Sequence, residues 1–245
     1  MTKVAVITGS NKGIGYGIVQ ELLKKLDSSW NIYLTSRDVN RGEEALTKLA
    51  QDKHENLKFH QLDIDDAESR KNFVSYLKEK YNQGIDIWIN NAGIAFKTDA
   101  KECFSVQAEV TLRTNFFNTL AMTEDVLPIM ATGGRLVTVA SMVSIMALKK
   151  CNDSVYSRVT DEKTSYELIK NMGKEFVEAT KKEDFSKSGW PETAYGVSKM
   201  LLVKAITELS KMDNPKKIIF TSCCPGYVDT DMTSHKGHKT IEQGK

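Results

Sequence analysis

Short apolar runs alternate along the chain with longer stretches in which apolar residues recur at helical spacing. Val4-Ala-Val-Ile7 is a run of the first kind, bounded by glycine, the pattern of a strand buried on both faces. Beyond it Ile14, Ile18, Leu22 and Leu23 recur every three or four positions, which predicts a helix. Asn31–Thr35 reads as the second strand, followed by a charged helix from Arg41 to Lys53. Leu57–Gln61 is the third, and the next helix opens at Asp65-Asp66, where acidic residues suit the positive end of a helix dipole. Ile85–Ile89, Gly134–Val139 and Lys217–Thr221 supply strands four, five and six. Strand and helix in alternation predict an α/β fold: a doubly wound parallel sheet of six strands with helices on both faces.

One interval breaks this rhythm. Ser141 and Tyr195 stand 54 positions apart, far more than a loop between strand and helix requires. Within it Tyr166, Ile169, Met172 and Phe176 keep helical spacing, so residues 149–190 read as an inserted helical subdomain docked by one apolar stripe. No internal repeat or low-complexity linker divides the 245 residues, which predicts a single domain over 1–245. A net charge of +2, with lysines spread along the chain, shows no basic stripe for nucleic acid. The four cysteines lack the paired spacing of a zinc site, and no metal is expected. With no leader segment and no long apolar run, a reduced, cytoplasmic protein without membrane association is expected.

The chemistry gathers at the ends of these strands. Thr8-Gly-Ser-Asn-Lys-Gly-Ile-Gly15 lies between the first strand and the first helix, where a dinucleotide pyrophosphate can meet a helix N-terminus. Gly9 suits the tight turn, Gly13 close approach of a phosphate, and Gly15 close packing of helix on strand. At the end of strand two an NAD site would place an acid on the ribose hydroxyl, but this chain has Ser36-Arg37, with Lys12 inside the turn. Two cations there favour a 2′-phosphate, hence NADP, although Asp38 follows directly.

Tyr-x-x-x-Lys puts a phenol and an ammonium on one helix face, and the chain contains it three times: Tyr76/Lys80, Tyr166/Lys170 and Tyr195/Lys199. Only Tyr195 opens a helix, Tyr195 to Lys211, that leads straight to a strand and then to Pro225-Gly226. Lys199 is expected to lower the phenol pKa of Tyr195 toward the working range. Ser141, at the end of strand five, can donate a hydrogen bond to a substrate oxygen, with Ser144 the competing hydroxyl.

With Asn90-Asn-Ala-Gly93, Thr114-Asn-Phe-Phe117 and Cys223-Cys-Pro-Gly226 added, the chain resembles the short-chain dehydrogenase/reductase family from Lys3 to about Thr233, and within it the monomeric cytosolic NADPH-dependent carbonyl reductases. The resemblance implies a Rossmann-like fold in which Asn115, Ser141, Tyr195 and Lys199 act in catalysis, Asn115 holding a relay water. It implies cofactor contacts from Gly9, Asn11, Lys12, Gly13, Ile14 and Gly15, and from Arg37, Asp63, Asn91, Ala92 and Gly93. Tyr195, Lys199, Pro225, Gly226 and Val228 would complete that surface. Asp63 would bond the adenine amine, a helix cap being the alternative.

Met142, Ile145, Trp190, Tyr227 and Met232 emerge beyond the strand ends and would form an apolar mouth for hydrophobic ketones, aldehydes or quinones. Two rival readings are an NADP-linked alcohol or steroid dehydrogenase working oxidatively, and a non-catalytic NADP-binding redox sensor. The insertion is expected to cover the helix face through which related subunits associate, so a monomer is expected. Family members usually carry a further helix and edge strand beyond the position of Lys245. A six-stranded sheet with an unpaired sixth strand is therefore expected, its last ten or so residues poorly ordered or held by cofactor or neighbours.

Overall fold

The computed structural model describes residues 2–50 and 55–245. Strands β1 (Lys3–Ile7), β2 (Trp30–Ser36), β3 (Leu57–Gln61), β4 (Ile85–Asn90), β5 (Met130–Val139) and β6 (Ile219–Cys223) form one parallel sheet. Their order is β3-β2-β1-β4-β5-β6. The order reverses between β1 and β4, and the loops leaving those two strands diverge to open a crevice at their carboxyl ends. Alternation along β1 builds both layers: Val4 and Val6 face one core, Ala5 and Ile7 the other, and all four are fully buried.

Helices α1 (Gly13–Lys25) and α2 (Val39–Ala50) cover one face through Val19, Leu23, Ala45 and Leu49. On α1 the expected apolar stripe is rotated slightly, so Ile18 and Leu22 flank the deepest residues rather than being them. The last part of the helix expected over 41–53 lies outside the described residues. On the other face lie α3 (Ala67–Lys80), α4 (Phe104–Leu112) and α5 (Thr119–Val126), the last two joined by a π-helical turn over Arg113–Asn118. Then follow α6 (Val143–Leu148), α7 (Asp153–Thr160), α8 (Tyr166–Lys181) and α9 (Ala194–Ser210).

Residues 149–190 thus carry α7 and α8. The stripe from Tyr166 to Phe176 is buried and belongs to the same apolar cluster as Val6, Trp88 and Leu136 of the sheet. Phe176 meets Phe104 of α4 edge to face at 6.2 Å between ring centroids. Burying several such side chains, each worth about 1.5–3 kcal/mol, suffices to hold a charged two-helix segment in place.

Several strand ends differ from the sequence reading by a residue or two, and the starts of β5 and β6 shift for reasons the structure shows. β5 starts four residues early, at Met130, and its pairing with β4 slips between Ile85 and Ile87 to absorb the extra length. β6 starts two residues late, because Asn214 captures Ile218 through both its side-chain oxygen and its amide and turns the chain there. Among the described residues β6 pairs only with β5. The last segment is not loose, contrary to expectation. Its helix α10 (Ile241–Gly244) is capped by Thr240 and lies on α1, and Lys245 reaches Glu21 at 2.8 Å.

Candidate active site

The glycine turn is built from the end of β1 outward. Gly9 takes φ +60°, and a Cβ there would strike Ala92 of the loop after β4. Ser10 Oγ donates to Ile7 O and accepts from Thr35 N, so the turn is riveted to β2. The Asn91 amide donates to the carbonyls of Thr8 and Gly9, while Thr8 Oγ1 accepts from Asn91 N and Ala92 N. Asn91 thus clamps the turn through its side chain. The first residues of α1 carry no side-chain cap, since Lys12 at the cap position makes none. Their free N–H groups and the positive helix end form an anion site, and Gly15, whose Cβ would collide with Ser10, lets the turn press onto the helix.

The residues around the expected adenine-ribose end are less uniform. Arg37 is exposed, and Ser36 before it is buried. Asp38, which argued against a phosphate, accepts from Arg41 N at 2.9 Å and so caps α2. Asp63 lies two residues beyond β3 and accepts from Asp65 N at 3.0 Å, a local turn contact. Lys12, read as a phosphate ligand, is paired with Asp231 at 2.7 Å; both side chains are exposed, so the pair is weak and exchangeable.

At the other side of the crevice, Thr193 caps α9 by accepting from Gly196 N at 3.1 Å, which places Tyr195 in the first turn. Lys199 follows one turn later, buried, with its ammonium donating to Val139 O at 2.8 Å and lying 5.9 Å from the centre of the Tyr195 ring. Burial pushes the Lys199 pKa down to about 8. Burial also raises the Tyr195 phenol, and the neighbouring Ser141 hydroxyl offsets only part of that rise. The sequence expectation of a lowered phenol is therefore corrected. The ammonium sits under the ring on a carbonyl rather than at the oxygen, and desolvation of the phenolate wins.

Ser141 rather than Ser144 meets the phenol. Ser144 is buried and spends its hydroxyl on Ser141 O at 2.6 Å. Asn115 is fully buried in the π-helical turn, its carboxamide accepting from Ile94 N at 2.7 Å and donating to Ile94 O at 2.8 Å. Its other contact is Ser198 Oγ at 3.3 Å. That amide splints the loop after β4 against α9.

Of the expected mouth residues, Met142, Ile145, Tyr227 and Met232 are exposed. Trp190 is not: only 4% exposed, it packs tilted against Phe176 at 5.4 Å between ring centroids, under the apolar stripe of α8. Val228 is buried as well, and its backbone bridges to Lys239, so the side chain offers no cofactor surface. Pro225 joins Val139, Ile14 and Cys224 in lining the crevice, and Gly226 turns the chain with φ +86°.

Sequence reasoning gave no catalytic or cofactor role to two groups. Cys224 accepts from Met142 N and Gly226 N and is close enough to Tyr195 and Lys199 to raise both pKa values when ionised. Thr230 is buried against Gly13, tying the loop after β6 to the glycine turn. Their position just around Pro225-Gly226 was the available signal.

Residues 3–157 match the family model described as short chain dehydrogenase. The chain is 41% identical to carbonyl reductase (NADPH) 3 of Mus musculus over 99% of its own length and 88% of the relative's. It is also 41% identical to carbonyl reductase (NADPH) 1 of Homo sapiens, covering 98% and 87%. Among solved structures it resembles salutaridine reductase from Papaver somniferum, with a TM-score of 0.88 and 28% identity over 99% and 92% of the two chains. The fold also matches an NADPH-bound carbonyl reductase from chicken fatty liver, with a TM-score of 0.69 and 23% identity over 99% and 84%.

Proposed function

The chain belongs to the short-chain dehydrogenase family and is an NADPH-dependent carbonyl reductase, and from that premise we propose that Tyr195, Ser141 and Lys199 carry the proton side of the reaction. The carrying observation is the buried Lys199 ammonium beneath the Tyr195 ring, with the Ser141 hydroxyl beside the phenol beyond the end of β5. NADPH, when bound, supplies the hydride. The uncapped start of α1 and the turn clamped by Asn91 suit its pyrophosphate. Lys12 and Arg37 suit its 2′-phosphate, Lys12 by releasing Asp231.

In this reading Ser141 donates a hydrogen bond to the substrate carbonyl oxygen, and Tyr195 delivers its proton there as negative charge develops. A phenol above its ordinary pKa stays protonated until that charge appears, which suits an acid. Lys199, with a pKa of about 8, exchanges protons readily near neutrality and steadies the phenolate left behind. Asn115 acts by holding the loop after β4. The exposed Met142, Ile145, Tyr227 and Met232 suit hydrophobic ketones, aldehydes or quinones.

The cover of α8 over α9 supports a monomer, and the shared apolar cluster supports a single domain with 149–190 as its insertion. Among the described residues no helix is long and apolar enough to cross a membrane, which fits the cytoplasmic location we infer. A panel of hydrophobic carbonyls followed by NADPH absorbance tests the whole reading. Turnover confined to alcohols with NADP, or cofactor binding without any turnover, would replace it with one of its rivals.

A further inference from the structure

Away from the crevice, near the edge where the strands begin, four hydroxyl- and amide-bearing side chains and one ammonium form a continuous chain. Asn31 Nδ2 donates to Tyr81 Oη at 2.9 Å. Tyr81 and Tyr33 hydroxyls lie 2.8 Å apart, and Tyr33 and Tyr76 hydroxyls 3.0 Å apart. Lys80 Nζ donates to Tyr76 Oη at 2.7 Å. Both ends donate, so the Tyr81 oxygen accepts from Asn31 and the Tyr76 oxygen accepts from the Lys80 ammonium, while the two hydroxyl contacts of Tyr33 run in either sense. The Tyr76 oxygen thus always carries a charged donor, and a second donor when Tyr33 gives it its proton.

We propose that Tyr76 is a nucleophilic phenol, an O-acylation site for activated acyl donors that is separate from the carbonyl-reducing centre. Its surroundings are favourable from every side. Tyr33 is fully buried on β2, and the His60 ring of β3 lies 4.7 Å from the Tyr76 ring. The His60 Nδ1 is engaged with Gln61 O at 2.6 Å. The charges bearing on the phenol are the ammoniums of Lys80 and Lys58. Burial alone would raise its pKa, but the bonds from Lys80 and Tyr33 and those two charges outweigh burial and bring it below the ordinary tyrosine value. Tyr33 is driven the opposite way by burial and by the same bonds, so it remains a donor. Lys80 is held in its ammonium form by Tyr76 and is a poor nucleophile, which directs acyl groups to oxygen. Tyr76 is half-buried and stands beside the exposed Lys80.

The step balances with a named donor such as N-acetylimidazole. The Tyr76 oxygen attacks the acyl carbon and forms an ester bond, the carbon–nitrogen bond breaks, and imidazole leaves with the electron pair and takes up a proton. No oxidant or reductant is needed.

The test treats the intact chain with limiting N-acetylimidazole and maps acetylation by peptide mass. Tyr76 should be labelled at least about fivefold faster than the exposed Tyr156, as an activated nucleophile requires. Hydroxylamine should remove the label, as it does for phenyl esters. Tyr33→Phe, which removes one donor and little volume, and Lys80→Met should each slow labelling of Tyr76 several-fold. Lys80→Arg should restore part of it. Carbonyl-reducing turnover should be unchanged in all three variants, which also reports that they fold. Faster labelling of Tyr156, equal labelling in Tyr33→Phe and wild type, or a hydroxylamine-stable adduct on Lys80 would each overturn the proposal.

Discussion

Tyr195/Lys199 and Tyr76/Lys80 have the same spacing on a helix face, yet their electrostatics are opposite. In the first pair the ammonium is buried, bonds a main-chain carbonyl and is pushed down, while the phenol is pushed up. In the second the ammonium is exposed and bonds the phenol oxygen itself; the phenol is drawn down and the lysine up. The third copy, Tyr166/Lys170, differs again. Both groups converge on Glu124 Oε1, and burial with that carboxylate raises the phenol. Spacing brings phenol and ammonium to one face, but burial and third parties decide which group holds the proton.

The sharpest way to break this comparison is to remove one hydroxyl at a time. Tyr195→Phe should cut turnover by at least about a hundredfold while leaving NADPH affinity within a few-fold, as expected for a general acid. Tyr76→Phe and Tyr166→Phe should reduce carbonyls nearly as wild type. Equal losses at Tyr195 and Tyr76 would dissolve the distinction between the two pairs.

A smaller effect concerns the cations at the cofactor end. Replacing Lys12 and Arg37 together by alanine should weaken NADPH far more than NADH, each charge-assisted bond being worth about 1.5–3 kcal/mol. Steady-state KM values for the two cofactors measure it, and a wild-type preference for NADH would remove the argument.

Lys199 offers a third test, read in stability rather than rate. Its folded pKa of about 8 lies below the 10.5 of an ordinary lysine, so the native state binds fewer protons between those values. Wild-type stability should gain from this group as pH rises through that window. Lys199→Met removes the buried charge and should be most favourable relative to wild type near pH 7, the advantage vanishing by about pH 10.5. Tm measured across pH for both proteins checks the sign. The opposite trend would mean that the ammonium is stabilised where it lies.

The smallest expected change is at Asp231. Asp231→Asn frees Lys12 from an exposed ion pair, which is worth about 0–1 kcal/mol, so NADPH should bind up to a few-fold more tightly. Titration by fluorescence would register it, and weaker binding would show that Asp231 positions Lys12 rather than competing for it.

Much of the crevice was legible in the chain because its parts are local. A glycine turn after an apolar strand, a hydroxyl at the end of β5 and a phenol in the first turn of α9 each depend on a few neighbouring residues. The side-chain partners of Asn115 were not legible, since Ile94 and Ser198 lie 21 and 83 positions away. Trp190 illustrates the same limit. Its apolar character suited either a substrate mouth or a core, and only the docking of α8 decided for the core.

The alternation of apolar runs and amphipathic stretches was enough by itself to determine the parallel sheet, its six strands and the edge at which chemistry collects. Such periodicity records burial directly, one residue at a time. The protonation behaviour of three identical Tyr-x-x-x-Lys pairs was decided only by the tertiary structure. A pKa depends on desolvation and on charges within a few ångströms, and the groups that supply them, Val139, Ser141, Tyr33 and Glu124, come from elsewhere in the chain.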